Sequence, residues 1–463
     1  MTVQHPSSFR DPSGFVYRDD RGVLLRQINN CYARQYDKLV DSEFYSNLVS
    51  ENLLIEHEEV DVRRSANGDA YRVIQPRELP FVTYPYEWCF SALKDAAILT
   101  LEIQCRALKA GMTLKDASTY NIQFVGTRPI FIDTLSFDLR EQGEPWVAYG
   151  QFCRHFLAPL ALMAYGFRGL NRLSTLYIDG IPLDLISALL PWRTRFRFGL
   201  LMHLHLQARM TRRYGDTKGR RQPRSPRVST QGMFALIENL RKTILRLRWN
   251  PGASEWSDYY TNNSYSSAAF QRKKDLVADL IRRAQPQKVW DLGANTGSFS
   301  RLASDAGIPT CAFDIEPECT EISYRQGQAT HDGFLTPLVL DMGNPSPALG
   351  WAHEERQSLA DRGPVDLVMV LALIHHITIG NNVPFRKVAE FMHRFARQLI
   401  IEFVPKDDPQ VKRLLQGRKD IFSDYNRATF EASFAEYFSL DDAQPVGDGG
   451  RTLYFMRNRI CLS

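Results

Sequence analysis

Residues 289–300 read VWDLGANTGSFS, and this short run decides the fold. An apolar strand ends on Asp291, and two glycines, Gly293 and Gly297, shape the turn into a following helix. Glycine is needed there because a Cβ would block backbone approach to a ligand and restrict the turn dihedrals. Outward from this run the same alternation repeats. SFSRLASDAG (298–307) is a helix closed by Gly307, and strands follow at TCAFD (310–314), PLVLD (337–341), VDLVMVLAL (365–373) and QLIIEFV (398–404). FRKVAEFMHRFA (385–396) is a helix between the last two. Continuous apolar strands separated by helices predict an α/β fold, a doubly wound Rossmann-like parallel sheet covered on both faces. TLYFMRN (452–458) would close its antiparallel end. Upstream, AAFQRKKDLVADLIRRA (268–284) places Phe270, Leu276, Val277, Leu280 and Ile281 on one helical face.

Such sheets bind ligands beyond the carboxyl ends of their strands, where strand order reverses. Three acids stand at those ends. Asp291 closes the first strand, Asp314 the second (AFDIEP) and Asp341 the third (VLDMGNP). Asp314 can accept two hydrogen bonds from a ribose diol, and Asp341 with Met342 can meet an adenine amino group and ring face. A dinucleotide site has the form Gly-x-Gly-x-x-Gly, fitted to a pyrophosphate at a helix N-terminus. Here an acid precedes the first glycine in Asp-x-Gly-x-x-x-Gly. An anionic side chain suits a ligand carrying an ammonium and a sulfonium, and disfavours a pyrophosphate.

On these motifs, residues 288–404 resemble a class I S-adenosylmethionine-dependent methyltransferase. The resemblance implies that Asp291 and the Gly293–Gly297 turn hold the methionine part. It implies that Asp314 takes the ribose hydroxyls, and Asp341 with Met342 the adenine. Asn295, Ile315 and Tyr260 complete the expected cofactor set, since Tyr259 and Tyr260 precede the sheet where many members of this fold close over the cofactor.

Methyl transfer from a sulfonium needs chiefly in-line positioning, with a base where the acceptor is a hydroxyl or a charged amine. LALIHHITIGNN (371–382) follows the fourth strand, where this fold places substrate-facing groups. His375 and His376 are the base candidates because histidine titrates near neutrality. Glu402, at the end of the fifth strand, is a third catalytic candidate, and Asn381 and Asn382 orient an acceptor or make a turn.

The N-terminal half carries a second constellation. Asp116 and Asn121 in LKDASTYNIQF (114–124), then Asp133 after a short hairpin, follow the order of kinase-type phosphoryl-transfer sites. This stretch is similar to protein-kinase-like and aminoglycoside-kinase-like folds. It departs from them: Leu114-Lys115 precedes Asp116, Thr134-Leu135 follows Asp133, and there is neither a glycine-rich phosphate loop nor a strand lysine. The expectation is an α+β accessory domain, kinase-like but degenerate, in which SGFVYRDDRGVLLRQIN (13–29) forms a β-hairpin. Across nearly its whole length the chain also resembles bacterial methyltransferases described as nodulation-protein-related. RQIN (26–29), LPFVTYPYEW (79–88), FIDTLSF (131–137) and GEPWVAYGQFCRHFLAPLAL (143–162) carry that likeness.

Composition sets the frame. At 463 residues the chain exceeds one ordinary core. Three regions are expected: an accessory domain over 1–210, a basic linker over 211–230 and a methyltransferase domain over 231–463. The linker TRRYGDTKGRRQPRSPRVST holds a single aromatic, Tyr214, so base stacking has little to work with. Seven scattered cysteines form no Cys-x-x-Cys pair and no zinc-like cluster. No metal is expected, and reduced thiols fit a cytoplasmic location. The most apolar window, 156–167, is too short to span a bilayer, so a buried helix and no membrane contact are expected. The reading is therefore an enzyme using S-adenosylmethionine, with a small-molecule or saccharide-like acceptor methylated on oxygen or nitrogen. Its alternatives are a protein or RNA methyltransferase, for which the basic linker is the only hint, and a non-catalytic ligand-binding regulator.

Overall fold

The computed structural model describes residues 3–166, 169–215, 227–249, 267–417, 419–447, 449–460 and 462. They fall into two compact units, one built from 1–124, 129–250 and 349–356, the other from 125–128, 251–348 and 357–463. The helix Thr230–Arg246 groups with the first unit, whereas the sequence placed it at the start of the C-terminal domain. The expected linker is also trimmed at both ends. Residues 211–215 complete the helix Gln207–Gly215, Thr230 opens the next helix, and 216–226 lie outside the described residues.

The first unit opens with β1 (Val3–Gln4), β2 (Gly14–Arg18), β3 (Leu24–Asn29), β4 (His57–Val60) and β5 (Ala70–Pro76), an antiparallel sheet in the order β1-β2-β3-β5-β4. β2 and β3 form the expected hairpin, Gly14 opposite Ile28 and Arg18 opposite Leu24. Ile28, Ile74, Tyr32, Tyr36 and Leu135 pack as one apolar cluster on this sheet. A helix over Phe90–Lys109 follows, then β6 (Met112–Leu114), β7 (Ile122–Val125), β8 (Arg128–Phe131) and β9 (Phe137–Leu139). β6 pairs with β9, and β7 with β8, so the chain on either side of the 7–8 hairpin is drawn together. The apolar window becomes a π-helical turn, Cys153–Leu157, running into the helix Ala158–Tyr165, whose residues 158–163 are all buried. Among the described residues no helix is long and apolar enough to cross a membrane.

The second unit is a seven-stranded sheet. Its strands are β10 (Val289–Leu292), β11 (Thr310–Asp314), β12 (Leu335–Val339), β13 (Val365–Val370), β14 (Ala396–Phe403), β15 (Phe438–Pro445) and β16 (Thr452–Asn458), in the order β12-β11-β10-β13-β14-β16-β15. The first five are parallel and β16 runs antiparallel to β14. Every residue of β10 is buried, as a strand covered on both faces requires. Val277, Leu280 and Ile281 of the helix Ser267–Ala284 pack on Val289, Leu367, Met369, Ile400 and Phe455. Burying each such side chain is worth roughly 1.5–3 kcal/mol, so this stripe fixes the helix on the sheet. The chain runs outward from β10 to β12, then returns to β13 on β10's other side. That reversal opens a crevice at the strands' carboxyl ends, where the Asp291–Gly297 turn begins.

Candidate functional site

A cavity of about 340 Å³ occupies the crevice, and the acids at the three strand ends line it together. The turn after β10 is set by backbone geometry. Gly293 and Gly297 lie at φ of +80° and +82°, a region that disfavours side chains. At Gly297 a Cβ would also come within 2.7 Å of Ser323 Oγ. The amides of Gly293 and Ala294 both donate to the Phe313 carbonyl, which ties the turn to β11. Asn295, itself left-handed at φ +52°, donates its amide to Asp314 Oδ2 at 2.7 Å. Asp314 Oδ1 accepts the Glu316 amide at 2.9 Å, so both carboxylate oxygens are held while the residue lines the cavity. Burial pushes this carboxyl up to about 6 against those two amides.

Asp291 differs in one respect. Its Oδ2 accepts the Ser300 hydroxyl at 2.6 Å, but its Oδ1 is buried with no hydrogen-bond partner among the described residues. Burial pushes the carboxyl up to about 7, opposed by Ser300 and by the charge of Lys273. Asp341 lines the same cavity and accepts the Gly343 amide at 2.8 Å, beside Met342, Ile315 and Asn381. Tyr259 and Tyr260 lie outside the described residues.

The expected catalytic residues separate. His376 lines the cavity, and burial pushes its pKa down to about 4, so its ring is neutral at pH 7. His375 does not line it: its ring is fully buried, 4.2 Å from that of His376, with neither nitrogen hydrogen-bonded among the described residues. Burial holds it well below the usual histidine range, so its ring is neutral, and its place off the cavity wall sets it apart from His376. Glu402 is also absent from the lining. Its Oε2 accepts Lys273 Nζ at 2.6 Å and the Ala372 amide at 2.8 Å, and Arg451 approaches its Oε1 at 3.7 Å. Arg451 in turn binds Asp408 at 2.7 Å. Glu402 is thus a buried counter-ion rather than a free base. Asn382 adopts a left-handed turn at φ +57° and lies off the cavity.

Lys273 is the residue that sequence reasoning missed. It lines the cavity with its ammonium 4.8 Å from the Phe299 ring centroid, and its side chain is only 2% exposed. A signal was present: Lys273 lies three residues after Phe270 and four before Val277, on the helix's apolar stripe. A buried lysine on that stripe needs a fixed anion, and Glu402 supplies it.

In the first unit, Asp116, Asn121 and Asp133 do converge. Asn121 Nδ2 donates to Ser136 Oγ at 3.0 Å, and that hydroxyl donates to Asp133 Oδ2 at 2.5 Å. Asp116 accepts the Ser118 amide at 2.9 Å and has Asn121 and Gln151 as further hydrogen-bonding neighbours. Burial, then the nearby Asp133 charge, raises its pKa. Asp133 meets Arg26, from the middle of β3, at 2.5 Å. Against burial, the guanidinium and the Ser136 hydroxyl hold its carboxyl below the ordinary value. Among the described residues no group of three or more His, Cys, Asp or Glu is placed to hold a metal ion.

No protein-family model matches the chain. It is 35% identical over 467 residues to the nodulation protein NoeA of Rhizobium meliloti (strain 1021), covering 96% of this chain and 94% of that protein. The chain belongs to the NoeA family. Among solved structures, it is similar to WbdD at 16% identity and a TM-score of 0.31, over 43% of this chain and 42% of WbdD. It is similar at 17% identity and a TM-score of 0.31 to magnesium protoporphyrin IX methyltransferase from Synechocystis PCC 6803 with bound SAH, over 44% of this chain and 92% of that one.

Proposed function

We propose that the protein is a methyltransferase that uses S-adenosylmethionine and methylates an oxygen or nitrogen of a small-molecule or saccharide-like acceptor. One observation carries the reading: a buried carboxylate oxygen, Asp291 Oδ1, that has no hydrogen-bond partner among the described residues and sits on a residue lining the cavity. Leaving a buried carboxylate oxygen unsatisfied is costly, and an α-ammonium supplies both the donors and the opposite charge. The other residues fit the same ligand. Asp314, its plane fixed by two amides, takes ribose hydroxyls, while Asp341, Met342 and Ile315 border the adenine. The Gly293–Gly297 turn with Asn295 lets the backbone approach, and Tyr260 belongs to the proposed set.

Bound there, S-adenosylmethionine supplies a methyl group on a sulfonium, ready for direct displacement. The chain's own share is binding, orientation and exclusion of water. His376 and Asn381 both line the cavity. The neutral imidazole accepts a hydrogen bond from the acceptor's O–H or N–H and turns a lone pair toward the methyl group. Its lowered pKa makes it a weak proton store, so positioning supplies most of the acceleration.

Calorimetry with S-adenosylmethionine tests the cofactor: Asp314→Ala loses about tenfold or more in affinity, and unchanged binding sinks the assignment. Incorporation of radioactive methyl into cell extract, separated by size, tests the acceptor. A labelled small molecule supports the reading, a labelled macromolecule replaces the acceptor, and no label leaves a binding protein. For the N-terminal unit we infer a degenerate kinase-like accessory domain, because Arg26 already occupies the Asp133 carboxylate that magnesium would need. Magnesium-dependent ATP binding that Asp133→Ala abolishes would overturn that inference.

A further inference from the structure

Between Asp184 and Asp216 the sequence contains no acid, yet it holds Arg193, Arg195, Arg197, Arg209, Arg212 and Arg213. The chain's entire formal excess is only +5, so this one segment carries more positive charge than the protein's balance. Within it, PWRTRFRFG (191–199) alternates arginine with large aromatics, and the structure turns both outward. Trp192 is 72% exposed, Phe196 77% and Phe198 65%, and Leu189, just before them, 51%. Apolar side chains that far from cover normally have a use, especially when they cluster. Trp192 and Phe196 do cluster, their ring centroids 5.4 Å apart.

The display is built rather than loose. Thr194, the one inward residue among them, is fully buried and donates to the Pro191 carbonyl at 2.6 Å. Its hydroxyl meets His205 Nε2 at 2.9 Å, and the other ring nitrogen of His205 meets Ser187 Oγ at 2.8 Å. A buried histidine thus ties the short helical turn Trp192–Phe196 to the preceding helix Leu183–Leu189. The rings and guanidiniums are held out before any partner arrives, which lowers the ordering cost of binding.

We propose that the Trp192–Phe198 surface docks the protein on an anionic lipid membrane. Trp and Phe suit the boundary between headgroups and acyl chains, and interleaved arginines suit anionic headgroups. A nucleic acid fits less well. Base stacking needs open ring faces in a row, whereas the Trp192 and Phe196 planes stand at 86° to each other and Leu189 offers no ring. Among the described residues no helix is long and apolar enough to span a bilayer, so the attachment proposed is to the surface, and it departs from the sequence expectation of no membrane contact.

Co-sedimentation of the full chain with phosphatidylcholine vesicles, with or without phosphatidylglycerol, tests the proposal. The chain is expected to sediment with the anionic vesicles at low salt and to be released as salt rises. Changing Arg193, Arg195 and Arg197 together to Gln lowers that binding about a hundredfold. Changing Trp192, Phe196 and Phe198 together to Ser lowers it about tenfold or more. Both variants alter exposed positions and keep the wild-type melting temperature. Quenching of tryptophan fluorescence by brominated lipid, lost in Trp192→Phe, gives a second readout of insertion. The proposal is overturned if the chain ignores both vesicles or if the variants bind as well as wild type. It is equally overturned if the same variants instead lose a single-stranded RNA probe.

Discussion

Two aspartates, part-buried Asp133 in the first unit and buried Asp291 in the second, show how the same side chain takes opposite roles. Asp133 is surrounded by answers: the Arg26 guanidinium, the Ser136 hydroxyl and the Leu135 amide, and its pKa falls. Among the described residues Asp291 has one hydrogen-bonding answer, Ser300, and an oxygen left over beside a cavity, and its pKa rises to about 7. A satisfied carboxylate is finished as structure. An unsatisfied one on a cavity wall is an invitation to a cation. The count of partners is what separates their roles.

The largest effect that would sharpen this contrast comes from removing Asp133's partner. Arg26→Gln should destabilise the protein by about 3 kcal/mol in urea unfolding, and adding Asp133→Asn should recover much of it. The pair's contribution has a definite sign with pH. A carboxyl held below its unfolded value stabilises above about pH 4 and loses that contribution on acidification through its folded value. Wild type should therefore lose the Arg26-dependent difference in acid.

Next in size, Asp291→Ala should weaken S-adenosylmethionine about a hundredfold by calorimetry. Unchanged affinity would break the comparison outright, since the orphaned oxygen would then serve nothing. A third effect is again one of pH, with the opposite sign. Because Asp291 is raised to about 7, affinity for the ammonium-bearing ligand should rise about tenfold from about pH 5.5 to about pH 7.5. Over the same window the unliganded protein should lose stability, since its folded state holds a proton that the unfolded chain releases near pH 4. Melting curves with and without ligand separate the two trends. The smallest effect belongs to Asp116, whose raised carboxyl serves no ligand in this reading. Asp116→Asn should leave stability within about 1 kcal/mol, on the side of a gain at neutral pH.

The parallel core was legible because its strands are apolar on both faces: β13 and β14 announce themselves as runs of V, I, L, M and F, and β10 and β11 as short apolar stretches ending at an acid and its turn. β15 was not, since FSLDDAQP sits at the sheet's edge, where polar and acidic residues face outward. The cavity acids were legible because each ends a readable strand. The stripe position of Lys273 marks it as inward, but the anions that hold Lys273 and Arg26 lie far along the chain, Glu402 for one and Asp133 for the other, so neither pair was legible. In sequence, RKKD on a helix looks like a solvated face. His375 and His376 show the same limit at shorter range, adjacent in sequence yet only one of them on the cavity wall.

The make-up of the first unit bears on how the protein is born. Its compact body includes 349–356, where Glu355 accepts a forked hydrogen bond from Arg10 and the Arg356 guanidinium lies 3.9 Å from the Tyr120 ring centroid. Domains on a ribosome usually fold in order, the earlier one closing while the later is still being made. This one must wait. Its last piece emerges only after β10, β11 and β12 have been synthesised, so the nascent chain carries an unfinished N-terminal unit through most of translation.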